Sequence, residues 1–209
     1  MHPNPIFRQS STKRDLDFAA QVGFGMLCAT ADSAQPPMLA HVPFLLSETR
    51  GFAELHLARG NAIVKARLNR LPAAIAIQGA HAYISPDWYG VEDQVPTWNY
   101  VAVHITGTLI RLDQGEIRRL VDELSDHFEG RIDGKTPWRT DKMTAGAVEK
   151  MLVQIVPFRF EIEDVQGTWK LNQNKPDAAR LSAAAQVEAS PLGLGTGALA
   201  DLMRQTNVD

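Results

Sequence analysis

The sequence is poor in several features that often announce a function. It holds a single cysteine, Cys28, so no intrachain disulfide can form and a reducing compartment is expected. It has no excess of positive charge: 21 Lys+Arg stand against 24 Asp+Glu, a net charge of −3 with a pI near 6.1. That balance argues against a surface that is a nucleic-acid footprint throughout. No apolar run approaches the roughly 20 residues that span a bilayer. The opening Met1-His2-Pro3-Asn4-Pro5 lacks the charged-then-apolar layout of a signal peptide. The expectation is a cytoplasmic, soluble protein with no membrane partner.

Signatures of chemistry are scarce as well. His41, His56, His81, His104 and His127 are widely spaced, with no His-x-His, His-x3-His or Cys-x2-Cys pair, so a structural zinc site is not expected. A site assembled from distant strands stays open, but half-buried strand histidines explain the pattern more simply. No Gly-x-Ser-x-Gly elbow occurs, and Cys28 sits in an apolar stretch with no basic neighbour to activate it. The two commonest nucleotide cradles, Gly-x-Gly-x-x-Gly and Gly-x4-Gly-Lys-Ser/Thr, are also missing.

What is present is an ordinary globular composition, 44% hydrophobic and 22% charged, over a length that suits one domain with an appendage. After a proline-rich arm, Ser11-Thr12 cap a short helix through Ala20. Strands are expected over 23–31 and 38–46, joined as a hairpin by a polar loop, and over 52–58. Asn61 caps a helix expected to run to Arg70, stopped by Pro72. Ala73–Gly79 reads as a strand with Ile75 and Ile77 on one face and a shelf of Ala74, Ala76 and Gln78 on the other. Val101–Leu112 follows, with Gly107 marking a bulge, a barrel corner or the close approach of a ligand. Ile117, Leu120, Val121, Leu124 and Phe128 recur at helical spacing and predict an amphipathic helix over 114–129. A shorter helix is expected over 144–151. Strands over 153–163 and 168–171 are expected to form a hairpin turning near Asp164–Gly167. Helices over 176–187 and 198–205 close the chain, with the last few residues loose. About seven strands with irregularly placed helices predict a mainly β, α+β fold: a small barrel with flanking helices. Residues 1–175 make the domain and 176–209 a helical C-terminal extension.

Two local concentrations stand out. Residues 55–86 hold no acidic side chain but include Arg59, Lys65, Arg67 and Arg70. The Arg59-Gly60-Asn61 turn follows a strand and opens a helix, a geometry that suits an anion. Arg59 offers a forked grip on phosphate and Lys65 a flexible point charge. A phosphate there would lie beside the Ala74/Ala76/Gln78 shelf, where a planar ring could hydrogen-bond Gln78. An ordinary capped helix with solvated basic residues explains the spacing equally well. The second concentration is aromatic. Only 7% of residues are aromatic, yet Tyr83, Trp88, Tyr89, Trp98 and Tyr100 fall within residues 83–100. Pro96, Thr97 and Asn99 around Trp98 suit the clamping of a flat heterocycle. Core packing explains the indole nearly as well, but explains Thr97 and Asn99 poorly.

These same residues carry a resemblance. His56-Leu57-Ala58-Arg59-Gly60-Asn61, Gln78–Tyr89, Val95–His104 and Lys170-Leu171-Asn172-Gln173-Asn174 resemble the PaiB family, described as FMN-binding negative transcriptional regulators. The likeness runs from about Phe7 to about Leu181, with Asn172 standing where the family has a serine. It implies an FMN-binding split β-barrel, usually a homodimer with flavin at the subunit interface. By analogy with related split barrels, Trp169 and Lys170 would reach toward the flavin of the other subunit. His104 or Tyr100 could then act as a proton donor beside the ring. The resemblance implies a flavin-dependent oxidoreductase or flavin sensor, with FMN as cofactor. The alternative is a repressor that binds DNA as a dimer, although no helix-turn-helix signature or basic helix is present.

Overall fold

The computed structural model describes residues 1–206, so the expected loose residues at the very end lie outside it. The first helix, α1 (Thr12–Val22), opens where the Ser11 hydroxyl accepts the Arg14 amide at 3.2 Å. It buries Leu16 and Ala19 as expected and ends at Gly23, which takes a φ of 62°. β1 (Phe24–Ala29) and β2 (Met38–Pro43) form the expected antiparallel hairpin, with Met26 opposite His41 and Cys28 opposite Leu39. The strand expected over 38–46 divides at the buried Phe44, whose amide bonds the Gly23 carbonyl at 2.9 Å. β3 (Leu45–Leu46) then pairs with β4 (Phe52–Ala58).

The next segment corrects the sequence reading. Asn61 does cap a helix, but α2 is only Ala62–Lys65. Arg67 takes a left-handed φ of 56°, and the chain is already extended at Arg70. The helix therefore ends before Pro72 can be responsible. β5 (Arg70–Ile84) and β6 (Thr97–Arg111) are both longer than the expected strands. α3 (Ile117–Glu129) is preceded by one 3-10 turn, in which the Asp113 carboxylate accepts the Gly115 amide at 2.8 Å. It buries Ile117, Leu120 and Leu124 against Leu45, Leu152 and Ile155, as its periodicity demanded. α4 (Ala147–Leu152) is the short helix expected there.

The expected hairpin over 153–171 is one continuous strand, β7 (Ile155–Lys170). Gly167 belongs there for space, not for turning: an added Cβ would lie 2.2 Å from the Asp15 carboxylate. Gly107 has a similar reason, since its Cβ would fall 1.9 Å from the Glu161 carbonyl oxygen. The close approach at Gly107 is thus made by the backbone of a neighbouring strand, and not by the ligand expected there. α5 (Asp177–Val187), β8 (Gly193–Leu194) and α6 (Thr196–Gln205) complete the chain. The eight strands form one sheet in the order β2-β1-β5-β6-β7-β4-β3, with β8 pairing β5.

The chain divides into two compact units. One comprises Met1–Phe18, Ile77–His104 and Gln166–Asp209. Its core packs Ala82, Ile84, Tyr89, Val101, Trp169 and Leu171 against Ala183, Val187, Leu199 and Met203 of the C-terminal helices. The other comprises Ala19–Ala76 and Ile105–Val165. There Leu27, Leu55, Ile75, Leu109, Phe158 and Phe160 are buried. Among the described residues no helix is long and apolar enough to cross a membrane.

Candidate functional site

In the unit holding Ala19–Ala76, the basic turn leaves β4 at Ala58. Arg59 is exposed and anchored by two bonds, Nε to the Val153 carbonyl at 2.8 Å and Nη2 to Gln114 Oε1 at 3.1 Å. No heavy atom lies within 4 Å of the position a Cβ on Gly60 would take, so the turn is open to solvent. The Asn61 side chain is occupied in capping, accepting the Ile63 amide at 2.9 Å. Lys65 and Arg67 are exposed and make no ion pair among the described residues, while Arg70 pairs with Glu161 at 3.1 Å. A four-residue helix has little macrodipole, so the anion-holding capacity here rests on side-chain charge and turn amides. The Ala74/Ala76 shelf is real: both are partly exposed while Ile75 between them is fully buried. It continues sideways through the pairs Cys28↔Ala74 and Met26↔Ala76 onto β1, and then onto Leu39 and His41 of β2. Phe24, Met26 and Leu39 are exposed on this sheet face.

In the other unit, the aromatic face is built on β5 and β6. Trp98 is 47% exposed, whereas Asn99 beside it is fully buried, because successive side chains leave opposite faces of a strand. The indole lies 6.0 Å from the His81 ring and 6.2 Å, edge-on, from Tyr83. Gln78 is exposed, and its Nε2 approaches His81 Nδ1 at 3.1 Å. These four side chains offer a flat apolar surface beside hydrogen-bonding groups. Thr97 and Asn99 alternate to the opposite side of β6. The Thr97 hydroxyl accepts from Lys170 Nζ, and Asn99 Nδ2 donates to Met203 Sδ at 3.5 Å, leaving Asn99 Oδ1 buried without a partner. Trp169 is buried, donating from Nε1 to Asp15 Oδ1 at 2.8 Å, with the Arg14 guanidinium 4.0 Å above its ring. Lys170 is half-buried, and burial together with Lys175 pushes its pKa down. The two proton-donor candidates differ in character. Burial holds His104 below the usual imidazole value, favouring its neutral form, while burial raises the Tyr100 hydroxyl so that it keeps its proton.

Of the residues singled out from sequence, Arg59, Asn61 and Lys65 fall in one unit and Gln78, Thr97, Trp98, Asn99, Trp169 and Lys170 in the other. His81 and Tyr83 were present in the sequence blocks but not distinguished as partners of Trp98. Alternation alone hides the link between Gln78 and His81, which lie three residues apart in a strand. Elsewhere, a groove of about 970 Å³ lies over Glu54, between Phe52, Arg119, His127 and Arg159. Its two arginines are committed to Glu54, at 2.9 Å and 2.8 Å. Among the described residues no cluster of three or more His, Cys, Asp or Glu is arranged to hold a metal ion.

Taken separately, the basic turn suits an anion, and the aromatic face of the other unit suits a flat, hydrogen-bonding ring. The sequence profile of the family described as “Putative FMN-binding domain” matches residues 1–164. The chain belongs to that family. It is 29% identical over 190 residues to the “Protease synthase and sporulation protein PAI 2” of Bacillus subtilis (strain 168), covering 90% of this chain and 89% of that one. The PaiB resemblance is thus borne out. An uncharacterized protein of Saccharomyces cerevisiae is 32% identical over 132 residues, covering 59% of this chain and 68% of its own. Among solved structures, the FAD and heme binding protein of Mycobacterium smegmatis superposes with a TM-score of 0.58 at 16% identity, covering 78% of this chain and 73% of that one. The flavocytochrome Anf3 of Azotobacter vinelandii gives 0.54 at 8% identity, covering 81% and 72%. At such identities the likeness speaks for the fold, which is the split β-barrel with flanking helices that the family implies.

Proposed function

We propose that this family member binds FMN and works as a flavin-dependent oxidoreductase or flavin sensor. The observation that carries the reading is the half-exposed Trp98 between His81 and Tyr83, an aromatic surface that core packing has left open beside Gln78. A buried indole would need no such neighbours; an open one offers a stacking face. Within the unit that carries Trp98, Gln78 and His81 supply hydrogen bonds to a flat ring; in the other unit Arg59, with Lys65 and the turn at Asn61, has the chemistry of a phosphate anchor. Thr97, Asn99, Trp169 and Lys170 act from behind, fixing the strand that carries Trp98. FMN, when bound, supplies the redox chemistry, and the protein supplies binding, orientation and electrostatics. Tyr100 holds a proton at its hydroxyl, and His104 is a neutral imidazole able to accept one.

The same proposal takes residues 1–175 as the flavin-binding domain and 176–209 as its helical extension, in a cytoplasmic homodimer. The apolar sheet face of Phe24, Met26, Cys28, Leu39, Ala74 and Ala76 is the surface that supports pairing with a second copy.

The test is an FMN titration of the purified protein and of its Arg59→Ala variant. Weaker binding in the variant supports the anchor. Equal affinity removes Arg59 from the site, and failure of the parent protein to bind any flavin overturns the reading.

A repressor reading, with DNA as partner, has one observation in its favour: Lys65 and Arg67 stand exposed, with no acidic partner among the described residues. Specific duplex binding that falls steeply with salt is its signature, and a flat salt response counts against it.

A further inference from the structure

β8 is a two-residue strand that lies beyond the stretch matched by the family profile, yet it sits against the part of β5 that carries His81. Leu194 pairs with His81 and Gly193 with Ala82 in antiparallel register. Side chains directly opposite in such a pair share one face, with Cβ atoms about 5 Å apart. His81 is also the neighbour of Trp98, at 6.0 Å between ring centroids. Leu194, His81 and Trp98 therefore form a row across β8, β5 and β6.

Leu194 is 69% exposed although its segment is firmly held. The hold is tight on both sides. A Cβ on Gly193 would lie 2.2 Å from the His81 carbonyl oxygen, so only glycine lets the segment approach β5. The Tyr83 amide bonds the Leu192 carbonyl at 3.0 Å, extending the contact along β5. Immediately after Gly195, α6 begins and buries Leu199, Ala200 and Met203 in the core of this unit. The leucine is thus presented at a fixed position by backbone pairing, not left on a loose tail. A rigidly held, exposed apolar side chain bordering an open aromatic surface marks a binding face.

We propose that Leu194 is a specificity-determining residue of the ring site: it forms the apolar end of the row that runs from Trp98 past His81, next to the hydrogen-bonding group of His81. This rests on the reading of Trp98 as a ring-holding surface. The ligand class it selects is a planar aromatic heterocycle with one apolar edge and one hydrogen-bonding edge, which an isoalloxazine satisfies. A uniformly polar ring would gain nothing from it.

The experiment measures FMN affinity by isothermal titration, and flavin fluorescence on binding, for the parent chain, Leu194→Ala, Leu194→Asp and Leu194→Met. Because Leu194 is exposed, circular dichroism and melting temperature should match the parent protein in all three. Losing part of a leucine contact weakens binding about fivefold in Leu194→Ala, and the charge that Leu194→Asp sets against an apolar ring edge weakens it more. Leu194→Met restores near-parent affinity. Sedimentation run in parallel separates a ligand effect from an assembly effect. Parent-like affinity in Leu194→Asp overturns the inference while leaving the flavin reading intact, as does a change confined to sedimentation. Absence of FMN binding by the parent protein overturns both.

Discussion

The Asp15 carboxylate fills the space that a side chain on Gly167 would need. A Cβ there would lie 2.2 Å from Asp15 Oδ1, and the same oxygen accepts the Trp169 indole N–H at 2.8 Å. The Ser10 hydroxyl donates to the other oxygen at 3.1 Å. Asp15 is only 2% exposed, so water cannot replace these bonds if they are lost. Gly167→Ala should push the carboxylate off the indole and destabilise the protein by about 2–4 kcal/mol. A thermal melt should record a fall of roughly 5–15 °C. An unchanged melt would show that Asp15 can move freely.

Gly107→Ala should be worse, because its obstacle is the Glu161 backbone carbonyl at 1.9 Å and not a side chain. The two strands would have to separate. A cost of about 4 kcal/mol or more is expected, with soluble yield and the urea midpoint as readouts. A parent-like midpoint would contradict the close approach of Gly107 to the Glu161 carbonyl.

Glu54 is 5% exposed and held between Arg119 and Arg159, which bond it from opposite sides. Burial works to raise its pKa, but the two arginines more than offset this and hold the carboxyl below 4.5. Both arginines are about two-fifths exposed, so solvent screens the pair, and Glu54→Gln should cost only about 1–3 kcal/mol at pH 7. A depressed carboxylate stabilises the fold above its unfolded value and loses that contribution as pH falls through the folded one. The stability gap between parent and variant should therefore be constant from pH 7 to about 5 and close below 4.5. A gap that persists at pH 3 would rule out the ionic origin.

His56 lies beside Glu54 on the same strand face, with Nδ1 buried and unbonded. Burial lowers its pKa below 6.5. The unfolded chain then takes up a proton before the folded one does. Stability due to neutral His56 is complete above pH 6.5 and is lost as pH falls through the folded value. His56→Leu should flatten part of the decline in melting temperature between pH 6.5 and 5. An identical slope in parent and variant would assign that decline to His2, His104 and His127, whose values are lowered too.

The elements that the sequence made legible are those whose burial follows a simple period. Leu120 and Leu124 announced α3, and the alternation of Ile75 and Ile77 announced the centre of β5. What stayed hidden depends on tertiary contact. Asp164 and Gly167 read as a turn, because nothing local says that Asp15 occupies the glycine's free space. Asn61 to Arg70 read as one helix, because the left-handed Arg67 breaks it without a glycine or proline to signal the break. The two units were invisible because each is assembled from separated segments. The site divided in the same way. Arg59 and Trp98 were recognisable from their neighbours in sequence, but the pairing of His81 with Trp98 and of Leu194 with His81 exists only across strands.

The central claim, that this protein binds flavin, is tested most directly by the absorption spectrum of the purified chain before and after incubation with FMN and removal of free ligand. Flavin bands should stay with the protein, be released on denaturation, and be reduced in Trp98→Ala. A spectrum with no flavin bands in either sample would contradict it.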